Sequence, residues 1–166
     1  SPAQAECAEL EHLEDVLITL GHVASVDAFQ TWIYTSGDGA DASARDAAWL
    51  RIRSRFERGV DWSGLETERV ARWYRQLHIF LYPFYYIEYG LAQLGALQIW
   101  RRSQTDQAAA VRDYREALAL GCTVSLPAMY ARAGAKFGAD RALIGELVAL
   151  VEGELARLRG GGGPVA

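Results

Sequence analysis

Apolar residues recur every three or four positions along most of this 166-residue chain, and this spacing constrains its fold more than any other feature. The pattern is clearest over residues 9–34, where it predicts one long helix. No stretch shows a strong strand alternation, and the one strand-like candidate, residues 121–126, is too short to support a sheet. The sequence therefore predicts an all-α fold of about seven helices.

The same pattern indicates how the chain is organised. We expect a single helical domain over residues 9–158, a flexible N-terminal segment at residues 1–8 and a flexible glycine-rich tail at residues 159–166. The hydrophobic fraction of 51% is enough for a sizeable core. Pro83 lacks a backbone N–H and disfavours helix at the preceding residue, so we predict a break near residues 81–82 and a new helix that starts at Pro83.

The overall charge and the cysteines argue against several classes of protein. A net charge of −4 disfavours a nucleic-acid partner, which usually needs a basic surface. We predict no membrane span, and the N-terminus does not have the pattern of a signal peptide. Cys7 and Cys122 are far apart and lack metal-ligand spacing, so we expect reduced thiols and a cytoplasmic protein.

The most unusual segment is residues 78–90, which holds four of the eight tyrosines and one of the three histidines, His78. A buried tyrosine hydroxyl needs a hydrogen-bond partner, so four of them close together favour a polar cavity or cleft. Their i, i+3, i+4, i+7 spacing would place them on one helical face: Tyr82, Tyr85, Tyr86 and Tyr89. The spacing alone is equally compatible with an aromatic-rich core helix whose hydroxyls bond to neighbouring carbonyls.

The sequence does not contain the residues of a complete catalytic centre. It has no His-Glu-x-x-His zinc motif and no Gly-x-Ser-x-Gly elbow. His22 falls among apolar residues, which is more typical of a hydrogen-bonded, half-buried imidazole than of a metal ligand, and Gln30 is interpreted as structural. What remains is an imidazole and several phenols, which stay protonated at neutral pH and can donate to a developing oxyanion.

Four segments carry a family resemblance: residues 11–14, 26–35, 59–64 and 78–97. Together they resemble the C-terminal part of oligoendopeptidase F-like proteins, which belong to the thimet-oligopeptidase family of zinc metallopeptidases. The resemblance covers about residues 9–158 and is most specific in the aromatic segment. It implies the C-terminal part of a zincin-like helical oligopeptidase fold, with a deep channel that admits short peptides.

The resemblance also implies roles for individual residues. In the family, a His-Glu-x-x-His helix and a later glutamate hold zinc, while downstream histidine and tyrosine side chains bind substrate and stabilise the tetrahedral intermediate. Carried onto this chain, it implies catalytic roles for His78, Tyr86 and Tyr89. It implies substrate binding for Tyr82 and Tyr85, with Tyr85 a competing match for one of the other tyrosines.

The chain departs from the family pattern because the zinc motif and the third-ligand glutamate are absent from it. We therefore expect no cofactor in this chain, with zinc only in a full-length relative, and no peptide hydrolysis by the chain alone. The expected partners are short peptides in a full-length relative, a missing N-terminal portion, or a second copy of the chain. The alternative is a non-enzymatic helical interaction module, possibly a homodimer; a small-ligand binder is a third, weaker option.

Overall fold

The structure, a computed structural model, describes residues 1–57 and 59–161 and confirms the all-α prediction. In these residues there are eight α-helices and no strand: α1 (Pro2–Thr35), α2 (Ala42–Arg53), α3 (Glu66–Ala71), α4 (Leu77–Leu81), α5 (Ile87–Ser103), α6 (Gln107–Ala119), α7 (Leu126–Arg132) and α8 (Arg141–Gly161). Single turns of 3₁₀ helix lie at Arg72–Arg75 and Gly121–Thr123. The strand-like candidate at residues 121–126 thus forms a 3₁₀ turn and the start of α7.

The chain divides into two compact units. One unit combines Ser1–Leu17 with the residues from Leu91 onward, and the other is Ile18–Gly90. The predicted single domain over residues 9–158 stays a prediction, since this division does not decide it.

Helical structure extends beyond both ends of the predicted domain. The Ser1 hydroxyl accepts a hydrogen bond from the Gln4 backbone N–H at 3.4 Å, as an N-cap residue does, and α1 therefore begins at Pro2 rather than near residue 9. At the other end α8 continues to Gly161. The remainder of the predicted flexible tail, residues 162–166, lies outside the described residues.

The core of the second unit is built around Phe29. Its ring meets those of Trp49 and Trp73 edge to face, each with centroids 5.3 Å apart. The other buried members of this core are Val26, Ala48, Ile52 and Ile79. Each large side chain buried in this way contributes roughly 1.5–3 kcal/mol. The core ties α1 and α2 to α4, the helix that carries His78.

Pro83 interrupts the helical path, but in a different way from our prediction. Tyr82 ends α4 with a non-helical backbone (φ −137°, ψ 68°), as expected for a residue before proline. The new helix, α5, begins only at Ile87, and residues 83–86 form a turn. Phe84 has a φ of 61°, in the left-handed region that side chains other than glycine rarely adopt. This conformation turns the chain before α5 begins.

The first unit has a separate core. On α8 the buried side chains recur every four residues: Leu143, Leu147, Val151 and Leu155. Asp106 caps the N-terminus of α6 by accepting a hydrogen bond from the Ala109 N–H at 2.9 Å. An apolar cavity of about 590 Å³ lies among α5, α6 and α7. None of the predicted site residues lines this cavity.

The composition of α1 bears on the prediction that the chain has no membrane span. An 18-residue window within Ala3–Thr35 has a mean hydropathy of 1.2, so this helix passes a length-and-composition test for a membrane span. A core helix of a folded domain passes the same test, so a single such helix is weak evidence. One third of that window, 33%, is buried. The buried apolar side chains of α1 are Leu13, Val16, Val23, Val26 and Phe29. The absence of a membrane partner stays a prediction.

Candidate functional site

The four predicted tyrosines surround His78. Their ring centroids lie between 5.0 and 6.2 Å from that of His78, in the order Tyr86, Tyr89, Tyr82 and Tyr85. Tyr85 lies nearly parallel to the imidazole, at 11°, whereas Tyr89 meets it edge to face at 87°. We call these five side chains the His78 cluster. All of them belong to the unit Ile18–Gly90.

The cluster forms without the shared helical face that the spacing predicted. His78 lies on α4. Of the four tyrosines only Tyr89 lies on a helix, α5, while Tyr82, Tyr85 and Tyr86 lie in the segment between α4 and α5. The Tyr85 N–H donates to the Tyr82 carbonyl oxygen at 3.2 Å, and the left-handed Phe84 directs the chain around His78. The predicted helical face is therefore wrong, although the same residues come together.

The cluster is open to solvent. Tyr82 is 57% exposed, and Tyr85 and Tyr89 are each 45% exposed. His78 and Tyr86 are half-buried. The site is thus an exposed aromatic surface rather than the polar cavity or cleft favoured from sequence. Exposed phenols of this kind can reach a bound ligand.

Hydrogen bonds fix His78 on both its ring and its backbone. Nε2 lies 3.4 Å from the Tyr89 hydroxyl, and Nδ1 lies 3.0 Å from the Gln76 amide nitrogen. The fully buried Gln30 donates from its side-chain amide to the His78 carbonyl at 3.4 Å, which agrees with its interpretation as structural. Gln76 was missed from sequence, because only its position two residues before His78 marks it.

A buried charged group lies behind the cluster. Arg53 donates from Nε to Glu57 at 2.7 Å, and Arg72 also bonds to Glu57, whose side chain is 4% exposed. Arg53 Nη1 lies 3.3 Å from His22 Nδ1, and His22 Nε2 lies 3.3 Å from the Gln76 side-chain oxygen. His22 is therefore the hydrogen-bonded, half-buried imidazole that the sequence predicted.

Burial sets the protonation state of two groups in this region. Burial raises the pKa of the Tyr86 phenol, and the neighbouring Tyr89 adds to this shift. Burial also lowers the pKa of His22, with Arg53 and Arg72 contributing in the same direction, although its hydrogen bond to Gln76 opposes them. At neutral pH, Tyr86 is thus a proton donor and His22 is a neutral imidazole.

The residues of this chain do not fit the zinc that the family resemblance implies. A catalytic zinc takes three protein ligands. In residues 1–57 and 59–161 no three His, Cys, Asp or Glu side chains are placed so that they could hold a metal ion. The His78 cluster offers hydrogen bonding and aromatic packing to a ligand.

The fold is all-α, and the His78 cluster presents one imidazole and four phenols on its surface. The sequence model of Peptidase family M3 matches residues 2–148. The chain therefore belongs to Peptidase family M3, which confirms the predicted family of metallopeptidases.

Comparison with solved structures identifies a peptidase of similar structure. The chain is similar to PZ peptidase A, solved with inhibitor 2, at 30% sequence identity and a TM-score of 0.80. The match covers 89% of this chain but only 26% of PZ peptidase A, so the chain spans about a quarter of that protein's length. No curated protein matches the sequence.

Proposed function

We propose that this chain contributes the substrate-binding and oxyanion-stabilising side chains of a family M3 peptidase, of the oligoendopeptidase F-like type, and does not hydrolyse peptides by itself. The observation that carries the proposal is the gathering of four tyrosine rings around His78, with the Tyr89 hydroxyl within hydrogen-bonding distance of its Nε2. The substrates would be short peptides.

The phenols suit the charge that develops during peptide hydrolysis. As the scissile carbonyl becomes tetrahedral its oxygen gains negative charge, and a protonated phenol can donate to it without itself losing its proton. Tyr89 and Tyr86 are the proposed donors, since their rings lie nearest to that of His78 and burial raises the pKa of the Tyr86 phenol. Tyr82 and Tyr85 are exposed and offer ring faces for the substrate backbone.

The same proposal explains why the chain alone would be inactive. Its sequence has no His-Glu-x-x-His, and its described residues bring no set of metal ligands together. In this proposal the phenols and the imidazole of the His78 cluster bind substrate and stabilise the transition state, while a metal centre activates the water. The water-activating centre would have to come from another polypeptide segment.

A chimera tests the proposal directly. This chain would replace the matching quarter of PZ peptidase A, and hydrolysis of a fluorogenic peptide would be measured for the chimera and for the isolated chain. We expect hydrolysis by the chimera, and no hydrolysis and no stoichiometric zinc on the isolated chain. A chimera that folds, judged by circular dichroism and cooperative thermal unfolding, but hydrolyses no peptide would contradict the proposal.

Within an active chimera, single hydroxyl deletions test the roles. Tyr89→Phe should lower kcat by about 10²–10³-fold, the usual cost of removing one oxyanion donor. Tyr34→Phe is the matched control, because Tyr34 is also an exposed tyrosine of the same unit but lies outside the His78 cluster. Equal kcat values for the two variants would show that Tyr89 has no catalytic role.

A second candidate, a non-enzymatic interaction module, is favoured by one observation. Large apolar side chains around the cluster are exposed: Leu77, Phe80, Leu81 and Phe84. Exposed apolar groups of this size mark protein interfaces in other proteins. Sedimentation equilibrium distinguishes the candidates, since a tight homodimer of the isolated chain together with an inactive, folded chimera would favour this one.

A further inference from the structure

A line of hydrogen-bonded polar groups runs from a buried charge to the exposed end of the His78 cluster. Its members, in order, are Glu57, Arg53, His22, Gln76, His78 and Tyr89. The successive distances are 2.7, 3.3, 3.3, 3.0 and 3.4 Å. All six residues belong to the unit Ile18–Gly90. We call this set the polar line.

Arg53 gives the polar line a direction. A guanidinium has only N–H donors and stays protonated, so it can never accept a hydrogen bond. Arg53 donates one Nη1 hydrogen to Ser25 Oγ at 3.2 Å, and the Ser25 hydroxyl in turn donates to the Gly21 carbonyl oxygen at 2.7 Å. The other Nη1 hydrogen faces His22 Nδ1, which must therefore accept. In a neutral imidazole the proton then lies on Nε2.

Each later step follows from the one before it. His22 Nε2–H donates to the Gln76 side-chain oxygen, so the Gln76 NH₂ group faces His78. His78 Nδ1 must accept from that group, which leaves the proton of His78 on Nε2. This Nε2–H donates to the Tyr89 oxygen, and the hydrogen of the Tyr89 hydroxyl is left for another acceptor. Reversing the Gln76 amide would place two donors against each other at His22.

The residues that set the order of donors and acceptors in the polar line are shielded from water. Arg53 and Ser25 are buried, His22 and Gln76 are half-buried, and Tyr89 at the far end is 45% exposed. The direction needs a neutral His22, since a protonated imidazole has two donors and could not accept from Arg53. The lowered pKa of His22, caused mainly by burial, keeps it neutral at pH 7.

We propose that Gln76 is a positioning residue, held by His22 and Arg53, that fixes His78 in the Nε2–H tautomer and directs the Tyr89 hydroxyl hydrogen towards solvent and substrate. The catalytic consequence rests on the proposed function, because the acceptor for that hydrogen is the substrate oxyanion. The tautomers themselves are properties of this chain and can be measured without any peptidase activity.

Nitrogen-15 NMR of the labelled 166-residue chain tests the polar line. Long-range proton–nitrogen spectra at pH 7.5 separate the two imidazole tautomers, and we expect Nε2–H for both His22 and His78. An Nδ1–H tautomer at either residue would overturn the proposal. This measurement uses the unaltered chain, so it does not depend on whether a variant folds.

A substitution tests whether Gln76 is the cause. Gln76→Glu keeps an acceptor towards His22 but removes the donor towards His78, so His78 should move its proton to Nδ1 and donate to the new carboxylate. Gln104→Glu is the matched control, because it makes the same change at an exposed position between α5 and α6 and should leave both tautomers unchanged. A His78 tautomer that stays Nε2–H in Gln76→Glu would show that Gln76 does not fix it.

The catalytic arm uses the chimera with PZ peptidase A. Gln76→Glu should lower kcat by at least about 10-fold with a smaller change in KM, as loss of an orienting partner of a functional imidazole does. If both His22 and His78 show the Nε2–H tautomer but a folded chimera is inactive, the proposed function is contradicted. The inference about the polar line would still hold. If an active chimera keeps its kcat in Gln76→Glu, Gln76 has no positioning role in catalysis.

Discussion

The ring of Phe84 packs against that of Tyr34, with centroids 5.2 Å apart and planes tilted by 44°. Phe84 is the one non-glycine residue with positive φ among the described residues, and Tyr34 lies near the C-terminus of α1. The aromatic contact offsets part of the cost of the left-handed backbone. The turn that places three tyrosines around His78 is thus in contact with a residue outside the cluster.

Paired substitutions at Phe84 measure that backbone cost. Both Phe84→Ala and Phe84→Gly lose the ring, but glycine adopts a φ of 61° freely whereas alanine does not. We expect Phe84→Gly to be more stable than Phe84→Ala by about 1 kcal/mol in urea unfolding. The same pair at Phe80, inside α4, should show the opposite order, since glycine is unfavourable in a helix. Equal stabilities of the two Phe84 variants would contradict the claim that the left-handed backbone at residue 84 is strained.

Phe29 should be the most costly ring to remove from the second unit. It is fully buried and contacts Trp49 and Trp73, so Phe29→Ala leaves a cavity that the two indoles cannot fill. We expect the free energy of unfolding to fall by about 3–5 kcal/mol. Phe56→Ala, at a ring that is 38% exposed, should cost much less. Thermal and urea unfolding, followed by tryptophan fluorescence, would compare the two losses.

Glu57 should contribute more to stability than an exposed acid in an ion pair. Its side chain is nearly buried, and its loss would leave Arg53 and Arg72 without their carboxylate. We expect Glu57→Gln to lower the free energy of unfolding by about 3 kcal/mol. Glu154→Gln breaks the pair with the more exposed Arg157 and should cost under about 1 kcal/mol. Similar losses in both variants would argue against a buried charge group.

Stability should depend on pH through His22. Its pKa is lowered in the folded state, chiefly by burial, so the unfolded chain binds the proton more strongly. The free energy of unfolding then rises with pH between the folded and unfolded pKa values. The contribution is fully present above about pH 6.5 and is lost as the pH falls below it. Urea unfolding at several pH values should show a smaller loss for His22→Gln than for the wild type.

The sequence could predict the helical class and the residues of the His78 cluster, because both depend on local spacing and residue type. It could not predict the turn at residues 83–86, since a left-handed Phe84 contradicts the local preference and is retained through Tyr34, which is remote in sequence. The prediction that the four tyrosines share one helical face was wrong for this reason.

The polar line escaped prediction for a different reason. His22 lies 31 residues from Arg53 and 54 residues from Gln76, and no spacing rule connects residues so far apart. An arginine near the end of α2 and a glutamine between two helical segments are ordinary residues in a sequence. Only the fold shows that they share one histidine.

The fixed charge of Arg53 has a consequence for ligand binding. Because a guanidinium cannot release its proton or accept another, the polar line has the same polarity whether or not a ligand is present. In the proposed function, the Tyr89 hydrogen would then be directed away from His78 before a peptide binds, which lowers the rotational entropy that binding costs at that hydroxyl. Such preorganisation lets the phenol recognise negative charge on an oxygen without first giving up a bond to His78.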